Sequence, residues 1–161
     1  MSSFRFMILW VFLSFFACSS EPLAVVEEIT DEQKAFMMAL NEIRSVGAIC
    51  GAADMIPVDD VIWSPTLASI ALQHARDMSE NEFFSHTGSN GSSIGVRAKE
   101  NDYNYSNIGE NIAWGYTNAM DALEGWLESP SHCTSMLNGD FVEIGLAQEN
   151  EYWVLVLGRQ L

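Results

Sequence analysis

An apolar run from Phe6 to Ala17, broken only by Ser14, ends at Cys18 and gives way at once to the polar residues Ser19, Ser20 and Glu21. A single positive charge, Arg5, precedes it. A helix needs about 20 apolar residues to span a bilayer, and this run is shorter, so it reads as the core of a signal peptide over residues 1–17. The part of the 161-residue chain that folds therefore folds after export, where thiols can be oxidised. What remains has room for one domain.

Cys18 stands where the apolar run stops and follows the small Ala17, which resembles the lipobox of bacterial lipoproteins. Phe15 and Phe16 depart from the aliphatic and small residues usual in that pattern, and ordinary signal-peptidase cleavage near Ala17 is the competing reading. Acylation of Cys18 would anchor the protein to a membrane without any spanning helix. Ser19 resembles an outer-membrane sorting signal. The expected location is extracytoplasmic, in the periplasm or at the cell surface, with an outer-membrane anchor. Residues 18–29 read as a lipidated tether, because they combine Pro and Glu without periodicity, and residues 30–161 as the folded domain.

Acids outnumber bases by 22 to 7, for a formal net charge of -15. Without residues 1–17, which hold only Arg5, the balance is 22 to 6, or -16. Such a surface repels phosphate backbones and anionic headgroups, which excludes nucleic acid as a partner and favours cations. Apolar residues make up 48% of the sequence, enough to build a core. Cys50 and Cys133 are compatible with a disulfide in this compartment or with two buried free thiols.

From Thr30 the pattern is helical. Thr30 and Gln33 form a capping box, Phe36, Met37, Leu40 and Ile43 share one stripe, and Gly47 ends the run. A second helix opens with Ser64 as cap and Pro65 at its first position, and places Leu67, Ile70, Ala71, His74 and Met78 on one face. A short helix follows near Ser93 to Lys99, then a strand around Ile108 to Ala113. Asn118 caps a helix that turns Met120, Leu123, Trp126 and Leu127 inward, and Ser129 with Pro130 starts another turn. Phe141 to Gln148 and Glu151 to Leu157 read as a hairpin turning at Glu149 and Asn150. Helices first and a terminal hairpin last predict an α+β fold.

Three stretches place groups able to bind metal or transfer protons beside Gly, Ser or Asn, outside the apolar stripes: FFSHTGSNG around His86, IGENIAWG around Glu110 and WLESPSHCTSML around His132. With ALQHARDM at 71–78 and EYWVLVLGR at 151–159, their order resembles the defining motifs of the CAP family of cysteine-rich secretory proteins, antigen 5 and pathogenesis-related proteins, and its bacterial subgroup in particular. The resemblance runs from about Thr30 to the C-terminus. It implies a three-layer α/β/α sandwich with a central antiparallel sheet, and a cleft in which His86 and His132 converge around Glu110. In some members that site holds a divalent cation, so zinc or a similar ion is the implied cofactor and His86 and His132 its ligands. Two neutral imidazoles beside a carboxylate suit zinc with an open position, and equally suit proton transfer near neutral pH. The second glutamate found in eukaryotic members has no clear equivalent; Glu128 is the nearest and Glu124 a poorer stand-in. Cys133 takes the place where bacterial members often carry an arginine, and resembles the subgroup whose cysteine bridges to one after the first helix, here Cys50.

His74 belongs to the apolar stripe and is assigned to the core. Trp114, Tyr116 and Trp126 read as packing residues that could also line a groove. The favoured function is a binding module for an envelope component, a lipid or another protein, its biochemical activity undefined. The rivals are a hydrolase, with His86, Glu110 and His132 as catalytic candidates and Ser85 or a metal-bound water as nucleophile, and a lipid carrier. Neither a Gly-x-Ser-x-Gly elbow nor a His-Glu-x-x-His helix is present.

Overall fold

The computed structural model describes residues 28–161. The signal peptide, Cys18 and nearly all of the tether lie outside the described residues. Among those described, no helix is long and apolar enough to cross a membrane.

Helix α1 (Asp31–Val46) begins with the expected capping box: the Gln33 amide donates to Thr30 Oγ1 at 3.2 Å, and the Thr30 amide donates to Gln33 Oε1 at 2.9 Å. Phe36 and Leu40 are fully buried, and Met37 and Ile43 pack at the margin. The same helix buries Arg44, which donates to the carbonyls of Asp59, Met136, Asn138 and Phe141. One guanidinium thus satisfies four carbonyls of two irregular segments that would otherwise lose their water.

Beyond Gly47 comes a short hairpin, β1 (Ala48–Cys50) and β2 (Ala53–Met55), and then the edge strand β3 (Ile62–Trp63). Gly47 is in the left-handed region at φ 78°, and a Cβ there would fall 2.2 Å from the carbonyl oxygen of Met55. Only glycine fits both demands. Helix α2 (Pro65–Glu80) buries Leu67, Ile70, Ala71, His74 and Met78, the predicted stripe. Helix α3 (Ile94–Glu100), strand β4 (Tyr105–Trp114), helices α4 (Ala119–Glu128) and α5 (Pro130–Met136), and the hairpin β5 (Glu143–Glu149) and β6 (Tyr152–Gln160) complete the chain.

The main sheet has the order β3-β5-β6-β4. Its β5, β6 and β4 pairings are antiparallel, and the two-residue β3 runs parallel to β5. Alternation along β6 divides the core. Trp153, Leu155 and Leu157 face α1 and α4, whereas Val154 and Val156 face α2 and α3. The three-layer α/β/α arrangement follows, with β4 as an edge of the sheet. The last turn lies at Asn150 and Glu151, one residue later than expected, with Asn150 left-handed at φ 52°. Met120 differs from expectation: it is 40% exposed, and Ala119 and Ala122 take the inward positions of α4. Cys50 and Cys133 form a disulfide with Cα atoms 5.5 Å apart, which ties β1 to α5.

Candidate functional site

The site forms where elements from both faces of the sheet reach the edge strand β4. Alternation sends Glu110 toward the α2 and α3 layer and its neighbour Asn111 toward α5. The Glu110 side chain is 1% exposed, so its charge must be answered by protein groups. Arg97 of α3 places Nη2 2.6 Å from Oε2, and His86 places Nδ1 2.9 Å from Oε1. His74 Nε2 lies 3.8 Å from Oε1.

The His86 loop is built onto this group. Asp77 of α2 accepts from the amide and the hydroxyl of Ser89. Arg97 donates through Nη1 to the carbonyl of Ser92 at 2.9 Å and, less closely, to that of His86. Gly88 packs closely there, since a Cβ would come 2.7 Å from Ser92 Oγ and 3.0 Å from Asp77 Oδ2. A carboxylate can only accept, so the His86 proton sits on Nδ1 and the Nε2 lone pair is left available. The His86 side chain is 57% exposed, open to a ligand.

His132 arrives from the other face on the first turn of α5, half-buried. Asn111 Nδ2 donates to its carbonyl at 3.1 Å, and its neighbour Cys133 is the disulfide residue. Burial lowers its proton affinity, and the nearby His86 lowers it further. His86 is thus near enough to act on His132, whereas the groups that touch Glu110 directly are His86, Arg97 and, at 3.8 Å, His74. His74 is held neutral chiefly by burial, against the pull of Glu110. Its Nε2 donates to the carbonyl of Ser85 at 2.9 Å, which leaves Nδ1 without a partner, as is Arg97 Nε.

Two residues absent from the sequence-based cleft therefore belong to it. Arg97 is the counter-charge of Glu110 and leaves the place of a second carboxylate unfilled, and His74 is a core residue whose ring also faces Glu110. The only sequence signal for Arg97 was a charge in a short helix next to the glycine-rich loop. Glu128 stays exposed at the end of α4, and Ser85 uses its hydroxyl to accept from the Thr87 amide at 3.0 Å. Trp126 is buried and donates Nε1 to the carbonyl of Ile112, whereas Trp114 is 58% exposed.

Among the described residues no cluster of three or more His, Cys, Asp or Glu side chains is arranged to hold a metal. Both oxygens of Glu110 are engaged, so the donors that fit a divalent cation are the two imidazoles, with Glu110 orienting one of them. Such a set suits an open, exchangeable site rather than a closed structural one.

Residues 37–154 match the Cysteine-rich secretory protein family, CAP. Over 91 residues, 56% of this chain, the sequence is 35% identical to the uncharacterized membrane protein YlbC of Bacillus subtilis (strain 168), and the match spans only 26% of that relative's length. The fold is similar to an extracellular protein containing a SCP domain from Bacillus anthracis str. Ames, with TM-score 0.66 and 24% identity over 88% of this chain and 45% of that one. It is also similar to an outer surface protein from Borrelia burgdorferi, with TM-score 0.69 and 21% identity over 83% of this chain and 96% of that one. With the family match covering most of the chain and both histidine stretches inside it, the protein belongs to the CAP family of cysteine-rich secretory proteins.

Proposed function

We propose that this protein is an exported, lipid-anchored binding module of the cell envelope, whose cleft takes a divalent cation through His86 and His132. The observation that carries this reading is the Glu110 carboxylate, which accepts from His86 Nδ1 at 2.9 Å while Arg97 holds its other oxygen. Glu110 fixes the tautomer and Arg97 fixes Glu110, so an available imidazole nitrogen is kept in place. Zinc bound there would supply Lewis acidity and a bound water of lowered pKa. The chain's own contribution is to orient His86 through Glu110 and to present His132 from a helix pinned by a disulfide. The extracellular and outer-surface neighbours support an extracytoplasmic location, and the Phe6–Ala17 run with Cys18 supports export and anchoring.

A hydrolase would need a nucleophile activated by a base. The Ser85 hydroxyl accepts from the Thr87 amide and meets no imidazole among the described residues, which favours binding over turnover. The test is titration calorimetry with zinc on the wild type and on the His86→Ala, His132→Ala double variant. Saturable zinc uptake by the wild type and its loss in the variant are expected; identical isotherms would overturn the reading.

A further inference from the structure

Beside His132, and away from the Glu110 carboxylate, a groove of about 360 Å³ opens between the end of β4 and α4. Its walls are aromatic. Phe84 is 52% exposed and Trp114 58%, high values for such large apolar side chains in one concavity. Tyr116 forms a third wall because Gly125 of α4 makes room for it: a Cβ at Gly125 would fall 2.0 Å from the Tyr116 hydroxyl oxygen. A glycine inside a helix costs about 1 kcal/mol relative to alanine, so the space it gives Tyr116 is retained at some expense.

Among the described residues the groove is lined by no Lys, Arg, Asp or Glu, its one titratable imidazole being His132, so it holds no carboxylate that would pair with a primary amine. Charge stands at its border instead. Asp121, Gly125 and Glu128 follow at i, i+4 and i+7 on one stripe of α4, and both acids are exposed. The whole chain carries a net charge of -15. Aromatic faces, an acidic border and an acidic field all attract a cation. The lack of a carboxylate acceptor within the groove favours a cation that needs no hydrogen bonds.

We infer that this groove binds a methylated ammonium group, the chemistry of choline, against the faces of Trp114, Phe84 and Tyr116. The inference goes beyond the metal cleft: His132 borders both sites, but neither His86 nor Glu110 lines the groove, and the aromatic faces hold their ligand without a metal.

The test is calorimetry of the full chain with choline chloride and with its uncharged isostere 3,3-dimethylbutan-1-ol. Choline should bind saturably and at least ten-fold more tightly than the isostere, because only the charge differs. Trp114→Ala should weaken choline at least ten-fold and Trp114→Phe should restore most of the affinity. Glycerophosphocholine separates the two sources of the ligand. Affinity equal to that of choline marks a lipid headgroup, and ten-fold weaker binding marks free choline; both outcomes support the site. Absence of choline binding, equal binding of the isostere, or an unchanged Trp114→Ala isotherm overturns it. Persistence of choline binding in His86→Ala would separate this site from the metal cleft.

Discussion

Glu110 and Arg97 meet at 2.6 Å with side chains 1% and 7% exposed, so the edge strand β4 and the short helix α3 are joined by an ion pair almost out of reach of water. Each charge is tolerated because the other is present. The pair also braces the His86 loop, since Arg97 donates to the carbonyls of Ser92 and His86.

Removing the guanidinium therefore strands a buried carboxylate. Arg97→Leu should cost about 3–5 kcal/mol, the range for breaking a buried pair. Adding Glu110→Gln should recover part of that loss by deleting the orphaned charge. Urea unfolding of wild type, single and double variants measures it. A single-variant loss under about 1 kcal/mol would show that water reaches the pair, as it does for exposed ion pairs.

His74 makes stability depend on pH with a definite sign. Its folded-state pKa lies below the ordinary 6.5, primarily because the ring is buried. Facing it, Glu110 and Asp77 pull the value up and Arg97 pushes it down. Between the depressed value and 6.5 the unfolded chain takes up a proton that the folded chain refuses, so this contribution is complete above 6.5 and shrinks as pH falls. The slope is at most about 1.4 kcal/mol per pH unit for one histidine. His132 acts in the same direction. Thermal melts of wild type and His74→Gln from pH 8 down to 5 should show the wild type losing more. The comparison matters because acidification also relieves repulsion in so acidic a chain; parallel curves would remove His74 as the cause.

The disulfide joins residues separated by 83 positions. A loop of that length is worth about 4–5 kcal/mol in the chain-entropy account. The Cys50→Ser, Cys133→Ser variant should lose stability on that scale in urea. It should also bind zinc more weakly, because His132 precedes Cys133 on α5. Wild-type zinc affinity in a protein destabilised as expected would mean that Asn111 alone is enough to hold His132.

What the sequence makes legible here is whatever depends on near neighbours. The capping box of Thr30 and Gln33, the stripe of α2 and the start of α4 at Asn118 are all local, and each stands where expected. His86 and Glu110 stand out by their surroundings and do touch. Arg97 could not be read in the same way: its partner is chosen by the packing of α3 against β4, and a basic residue in a short helix otherwise reads as a solvated face. Arg44 escaped for the same reason, since its four carbonyl partners lie 15 to 97 positions away. His74 shows the limit of a single label, because a ring buried in a stripe can still turn one nitrogen toward a carboxylate. The β1 and β2 hairpin carries too few residues for any period to show.

Gly145 of β5 is where the sheet touches α2 most closely. A Cβ built there would lie 2.0 Å from the Ala68 amide nitrogen and 2.2 Å from the Leu67 carbonyl carbon. These are backbone atoms inside a helix, so no side chain can rotate away, and the whole of α2 would have to lift from the strand. Gly145→Ala should therefore destabilise by about 3 kcal/mol or more, at or above the upper end for overpacking. Displacing α2 would also move His74 and Asp77, which together position Ser85 and Ser89 on either side of His86. Zinc affinity should accordingly fall in the fraction that remains folded. Urea unfolding combined with zinc calorimetry below the unfolding transition checks both, and a variant as stable as the wild type would mean that α2 and β5 are held apart more loosely than these distances require.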